Sequence, residues 1–365
     1  MKILVINPIL YTSEGRQLPK VTTIKDTMIY GMCMGFVRLG HQVTLVAVDD
    51  YRPTQDEDYD FDILWLHDTF RRMLPPSLPV PTALPAWLRR EAHDYDMIVA
   101  SEAFAYTTLC ASRVAGYKTI VWQELSAHQR KWHRWPSRLW HRCVIPAAFG
   151  KVRCVVPRSQ RARDFIADYM GPVTERILDH GIDLDSLPVG GIRKRQFITV
   201  GQLIERKGID IVIRRFAQFC ATPQSEGYTL LVAGRGPERQ ALMHLAQSLS
   251  IGHRVQFLGF VSHQQLGQLL SESVAMLVAT RQDLNMVSVT EAVACGTPVI
   301  TNTVPNTSHW VRQQRLGIVR DDWDAGDMLA VIADDTYASR CAAWRPHLSC
   351  EAVAQQFIDV FEQYG

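Results

Sequence analysis

Asp283 and Glu291, two carboxylates eight positions apart, carry the clearest chemical signal in this chain. They lie in the run Asp283-Leu-Asn-Met-Val-Ser-Val-Thr-Glu291-Ala-Val-Ala-Cys-Gly296-Thr-Pro298-Val-Ile. The apolar run Val274–Ala279 before them reads as a buried parallel strand, and Val299–Thr301 after them as the next. Between the two, the pattern predicts a helix over Val287–Cys295, with Gly296 in the left-handed capping position and Pro298 barring its continuation. Such a helix starts at the carboxyl edge of a parallel sheet, where unpaired N–H groups and the helix dipole favour an anion such as phosphate. Glu291 falls on its first turns and Asp283 on the loop leading in. A phosphate cradle flanked by two hydroxyl-binding carboxylates suits a nucleotide sugar. The competing interpretation is an ordinary βαβ unit with two chance carboxylates.

The elements around this motif repeat one plan. In the first half, Ile3–Ile6, Gln42–Val48, Ile63–Leu66, Met97–Ala100, Thr119–Trp122 and Val152–Val156 read as strands. Helical patterns separate them, the clearest being Ile24–Leu39, ended by Gly40. In the second half, Phe197–Val200, Thr229–Ala233, Val255–Leu258, Val274–Ala279 and Val299–Thr301 alternate with helices in the same way. Pro188, Gly190 and Gly191 interrupt the pattern over Leu187–Arg195. At 365 residues the chain exceeds the roughly 250–300 at which a single core stops growing. The expectation is an α/β protein of two Rossmann-like domains facing a central cleft, residues 1–187 and 194–343. The helical tail, about 348–365, is expected to pack back on the first.

Three further segments of the second half carry ligand-binding signals. Gly201-Gln202-Leu-Ile-Glu205-Arg206-Lys207-Gly208 follows its first strand, and Gly234-Arg235-Gly236-Pro237 ends its second. Glycines there permit close approach of backbone to a ligand. Asp179-His180-Gly181-Ile182-Asp183 precedes both and reads as a structural turn. Together with Asp283 and Glu291, these segments, in this order, resemble the motif set of retaining, family-4-like glycosyltransferases of the GT-B fold (glycosyl transferases group 1).

The resemblance implies roles, residue by residue. Glu291 would bind ribose hydroxyls of the donor, and Asp283 the hydroxyls of the transferred sugar. The amides of Asn285, Met286 and Val287, with Lys207, would neutralise charge on the leaving diphosphate. Gly201 and Gly234 would bring backbone beside the donor, with Gln202 and Arg235 within reach. Gln202 stands where the family usually has arginine, which removes a bidentate phosphate clamp. On the acceptor side, Gln123 and Glu124 replace the family's His-Asp pair, and Glu102 ends the preceding strand. Catalysis would rest on Asp283, Lys207 and Glu291, with retention of anomeric configuration and a glycan acceptor, lipid-linked or of the cell envelope. Two rival classes remain: a sugar-nucleotide epimerase or hydrolase of the same fold, and a non-catalytic nucleotide-sugar-binding partner.

No cofactor or metal is expected beyond the nucleotide-sugar co-substrate. The pairs Asp58/Asp60, Asp60/Asp62 and Asp94/Asp96 read as solvated loops. The eight cysteines show no metal-like spacing and fit a reducing compartment. Net charge is only +2, yet from Leu125 to Arg163 ten Lys or Arg residues occur with no Asp or Glu. Arg130, Lys131, Trp132, Arg134, Trp135 and Arg138 combine cations with aromatic rings. That combination suits an anionic membrane surface or a polyanionic acceptor better than nucleic acid, and equally suits a helix packing its tryptophans. No apolar run approaches the roughly 20 residues that span a bilayer. The expected location is cytoplasmic, peripheral on the inner face of the membrane.

Overall fold

A computed structural model describes residues 1–11, 18–25, 27–128, 134–282 and 286–365, with backbone alone at Arg134. Two compact units make up the chain: Met1–Gly181 with Cys350–Gly365, and Ile182–Ser349. Each is built on a six-stranded parallel sheet flanked by helices, a Rossmann-like domain.

The first sheet contains β1 (Lys2–Ile6), β2 (Gln42–Val48), β3 (Asp62–Leu66), β4 (Met97–Ser101), β5 (Thr119–Gln123) and β6 (Cys154–Pro157), in the order β3-β2-β1-β4-β5-β6. The continuous apolar run of β1 follows from its central place. Ile3 and Val5 pack on one face with Phe36 and Phe357, while Leu4 and Ile6 pack on the other with Leu84 and Leu88. Each such buried side chain contributes about 1.5–3 kcal/mol. Strand order reverses between β1 and β4, and ligands bind beyond the carboxyl ends of strands at such switch points.

The Met28–Arg38 helix starts four residues later than the apolar periodicity predicts. Thr27 caps it by accepting from the Tyr30 N–H at 3.3 Å, and Gly40, at φ 83°, follows its end. The Cys350–Gln363 helix lies against it: Phe357 meets Phe36 ring to ring at 6.3 Å, and Arg38 pairs with Glu351 at 3.0 Å.

The second sheet contains β7 (Gln196–Val200), β8 (Thr229–Ala233), β9 (Val255–Gly259), β10 (Ala275–Leu277), β11 (Val299–Thr301) and β12 (Gly317–Val319), in the order β12-β11-β10-β7-β8-β9. β10 is shorter than its apolar run predicts, although Val278 still donates to the Ile300 carbonyl at 2.9 Å. Trp323, fully buried, donates its indole N–H to the Val278 carbonyl at 2.9 Å and holds the strand end. β12 was not predicted from the sequence: three half-buried residues at a sheet edge carry too little pattern. In the first unit β6 begins at Cys154, not Val152, and Asp62 opens β3 instead of belonging to a loop.

Candidate nucleotide-sugar site

In the second unit the helix over Val287–Ala294 forms at the carboxyl edge of the sheet, and Gly296 follows it at φ 77°. No side chain of the cap residue, Met286, closes its first turn, which leaves that end suited to an anionic ligand. Met286 is buried and Val287 is exposed. Glu291 is only 7% exposed, one turn in from the helix start, and His263 Nδ1 stands 3.1 Å from its Oε1. His263 opens the next helix back in the chain, His263–Ser271, fixed by a reciprocal cap between Ser262 and Gln265. The sequence reading missed His263, because only the fold brings it to Glu291. Asp283 and Asn285 lie outside the described residues. Cys295 is buried, and burial pushes its thiol up to about 12, as suits a packing residue.

The loop after β7 is bonded to the loop after β10. The Arg206 carbonyl accepts from the N–H groups of Arg281 (2.8 Å) and Gln282 (3.3 Å) and from the Thr280 hydroxyl (2.9 Å). Arg281 forks onto both oxygens of Asp210 at 2.7 Å and also reaches the Glu205 carbonyl. A Cβ on Gly208 would fall 2.0 Å from the Ala279 carbonyl oxygen, so only glycine allows this approach. Lys207 is thereby placed across Gly201: its Cδ lies 3.7 Å from where a Gly201 Cβ would be. Gly234, at φ 147°, abuts Gly201 so closely that a Cβ would sit 1.8 Å from its carbonyl oxygen. Gly201, Gly234 and Lys207 thus form one patch of bare backbone with a cation over it.

Gln202 is exposed beside this patch. Arg235 is exposed too, its guanidinium 5.5 Å above the ring of Phe260, itself 69% exposed. Arg206 donates from its guanidinium to the Gln282 carbonyl (3.4 Å), a second tie between the two loops.

In the first unit the acceptor-side candidates gather at the ends of β4 and β5. Glu102 takes φ 69°, rare for a residue other than glycine, and its carboxylate accepts from the N–H groups of Glu124 (2.7 Å) and Leu125 (3.3 Å). Burial pushes the Glu102 carboxyl up to about 7. The Glu124 charge adds to this, and the two backbone donors and Arg158 oppose it. Gln123 is a correction to the sequence expectation. It is wholly buried and its amide is spent on backbone, accepting from the Ala103 N–H at 2.9 Å and donating to the Leu125 carbonyl at 3.0 Å. Its part is to fix two loops.

Glu124 instead joins a network that the sequence did not reveal. Arg158, 6% exposed, bonds Glu124 at 2.5 Å and Asp179 at 2.8 Å, and stacks 4.6 Å over Trp122. Burial pulls the Asp179 carboxyl up, but His180 and Arg158 outweigh it and hold it well below the usual carboxylate range. Asp179 and His180 therefore do more than shape a turn.

Of the basic segment, Arg130, Lys131 and Trp132 lie outside the described residues, as does the Arg134 side chain. On the Arg134–Leu139 helix, Trp135 is 78% and Leu139 65% exposed, with Arg138 exposed between them.

The chain matches two family models. Residues 190–334 match Glycosyl transferases group 1, and residues 26–186 match Glycosyltransferase Family 4. A glycogen synthase of Mycobacterium tuberculosis (strain H37Rv) is 25% identical over 280 residues, 73% of this chain and 66% of that protein. An uncharacterized glycosyltransferase of Methanocaldococcus jannaschii is 30% identical over 126 residues, 34% of this chain and 31% of that protein. The chain thus spans less than two thirds of the length of either relative. Among solved structures, a sucrose-phosphate synthase from Thermosynechococcus elongatus superposes with TM-score 0.66 at 18% identity, over 99% of this chain and 98% of that one. HepE of Anabaena, solved with UDP-glucose, gives 0.64 at 17% identity, over 100% of both chains. The solved structures agree with this chain in fold, and both family models that it matches are of glycosyltransferases.

Proposed function

We propose that this protein transfers a hexose from a nucleoside-diphosphate sugar to a hydroxyl of a glycan acceptor, with retention of anomeric configuration. The observation that carries the reading is Glu291. A carboxylate this deeply buried, one turn into a helix that starts at the sheet's carboxyl edge, has a role at a hydroxyl-rich ligand. Glu291 binds the ribose, and the Val287–Ala294 helix start takes the diphosphate with Lys207. Gly201 and Gly234 let the backbone lie against the ligand. Asp283 receives the hydroxyls of the sugar, and the Asn285, Met286 and Val287 amides face the phosphates. No protein cofactor or metal has a part in this scheme.

Retention follows from the chemistry proposed. A diphosphate oxygen takes the acceptor proton on the face from which the leaving group departs, while Lys207 and the helix start stabilise its charge. The first unit supplies the acceptor side through Glu102 and Glu124. HepE, solved with UDP and UDP-glucose, supports trying uridine donors first. The exposed Trp135, Leu139 and Arg138 favour a lipid-linked or cell-envelope acceptor met at the inner face of a membrane, with the protein cytoplasmic and peripheral.

The test is incubation with UDP-, GDP- and dTDP-sugars, following binding by calorimetry and slow hydrolysis by proton NMR. Saturable uptake of one donor with release of a sugar of unchanged anomeric configuration is expected. Release with inversion contradicts the mechanism, and uptake without any turnover contradicts the enzyme.

A further inference from the structure

Beyond the carboxyl ends of β1 and β4 lies a cavity of about 310 Å³, formed wholly within the first unit. Its wall is overwhelmingly apolar: Ile9, Leu78, Val80, Phe104, Leu109 and Trp140 line it. Sugars make poor ligands for such a wall, because their hydroxyls would be left without partners on desolvation. Glu102 also lines it, the residue held at φ 69° by backbone donors on both its oxygens. Trp140 is fixed in the wall by donating its indole N–H to the Ala103 carbonyl at 3.0 Å. It directly follows the helix that carries the exposed Trp135 and Leu139. The five residues Trp140–Val144 form a widened helical turn, a feature common at functional sites.

We propose that this cavity receives the apolar part of the acceptor, a ring system or acyl segment whose polar end lies at Glu102. The inference rests on the reading that the first unit takes the acceptor and goes further by naming its chemistry. Size sets the scale. An apolar cavity of about 150 Å³ holds benzene, so twice that volume takes roughly ten to twelve non-hydrogen atoms. Position agrees, since the cavity lies at the switch point of its sheet. Glu102 supplies the one carboxylate among the described lining residues, and that carboxyl, pushed up to about 7 by burial, accepts from a hydroxyl when charged.

The probe is 2-naphthol, titrated into the full chain by calorimetry beside a separate titration with UDP. The wild type is expected to bind 2-naphthol saturably below 1 mM, and at least threefold more tightly than naphthalene, which lacks the hydroxyl. Ala105→Phe fills the cavity and should weaken 2-naphthol tenfold or more while leaving UDP affinity unchanged. Ser77→Trp, on an exposed loop of the wall, should do the same and guards against misfolding of the first variant. Absence of 2-naphthol binding in a protein that binds UDP overturns the inference and leaves the donor reading standing. Unchanged 2-naphthol affinity in both variants, with their melting temperatures intact, also overturns it, since the probe then binds elsewhere. Failure to bind any nucleoside diphosphate, with 2-naphthol binding intact, sinks the donor reading instead.

Discussion

His263 Nδ1 lies 3.1 Å from Oε1 of Glu291, so the helix after β9 orients the carboxylate on the helix after β10. His263 is half exposed and Glu291 buried, an arrangement in which the histidine aims the acid without replacing it as a ligand. His263→Ala should therefore raise the donor KM about two- to fivefold with kcat nearly unchanged, and His263→Gln should restore part of the loss. A kcat loss larger than the KM change would mean that His263 touches the reacting atoms.

Gly234 and Gly208 are places where a single methyl group collides with backbone, 1.8 Å from the Gly201 oxygen and 2.0 Å from the Ala279 oxygen. Neither neighbour can swing away as a side chain would. Gly208→Ala should cost about 2–4 kcal/mol and separate the Lys207 loop from the Thr280–Gln282 loop. Thermal melting and UDP titration should fall together, and a variant that melts like wild type would show the approach to be looser than described.

Arg158 neutralises two carboxylates at once, Glu124 and Asp179. Arg158→Ala leaves Asp179 and Glu124 without their shared guanidinium partner, and about 1–3 kcal/mol of stability should be lost, read by urea denaturation. Arg158→Lys should recover only part, since an ammonium cannot fork between the two acids.

The pH dependence has opposite signs at two carboxyls. Glu102 titrates at about 7 when folded against an ordinary 4.5, so the folded state holds the extra proton between those values. Its contribution to stability is greatest below about 4.5 and falls as pH rises toward 7, by roughly 3 kcal/mol. Asp179 is depressed below its ordinary 3.8, so its contribution is present above that value and is lost as pH falls through its folded pKa. Relative to Glu102→Gln, the wild type should lose melting temperature between pH 5 and pH 8. A constant difference across that range would mean that Glu102 is not held as described.

Trp135 and Leu139 stand one helical turn apart and exposed, with the cations Arg138 and Arg142 beside them. The protein should sediment with phosphatidylglycerol vesicles, not with phosphatidylcholine vesicles, and high salt should release it. Arg138→Gln with Arg142→Gln should weaken sedimentation without changing the melting temperature, because exposed charges contribute little to folding. Equal recovery with both kinds of vesicle would point to apolar adhesion alone.

What could be read from the sequence was what is local along the chain. Gly201 and Lys207 follow β7, Gly234 follows β8, and Glu291 lies on the helix after β10, and apolar run, glycine and helix signal mark each of those segments together. Their elements follow, with β10 trimmed and β12 too short to register. Arg158 was illegible because its partners lie 21 and 34 positions away and only the sheet order unites them. The same holds for His263, brought to Glu291 by two adjacent helices. Gln123 misled for a different reason: a polar residue ending an apolar strand looks alike whether it faces a ligand or satisfies backbone. The apolar cavity was invisible, since its wall comes from four separated segments.

The central claim is that Glu291 holds the nucleotide of a sugar donor, and calorimetric titration of UDP and UDP-glucose into wild type and Glu291→Ala tests it most directly. Ribose hydroxyls lose a charged acceptor worth about 1.5–3 kcal/mol, so affinity for both ligands should fall roughly 10- to 100-fold while the melting temperature without ligand changes little. The same affinity in wild type and variant, or no uptake of any nucleoside diphosphate by the wild type at millimolar concentration, would contradict it.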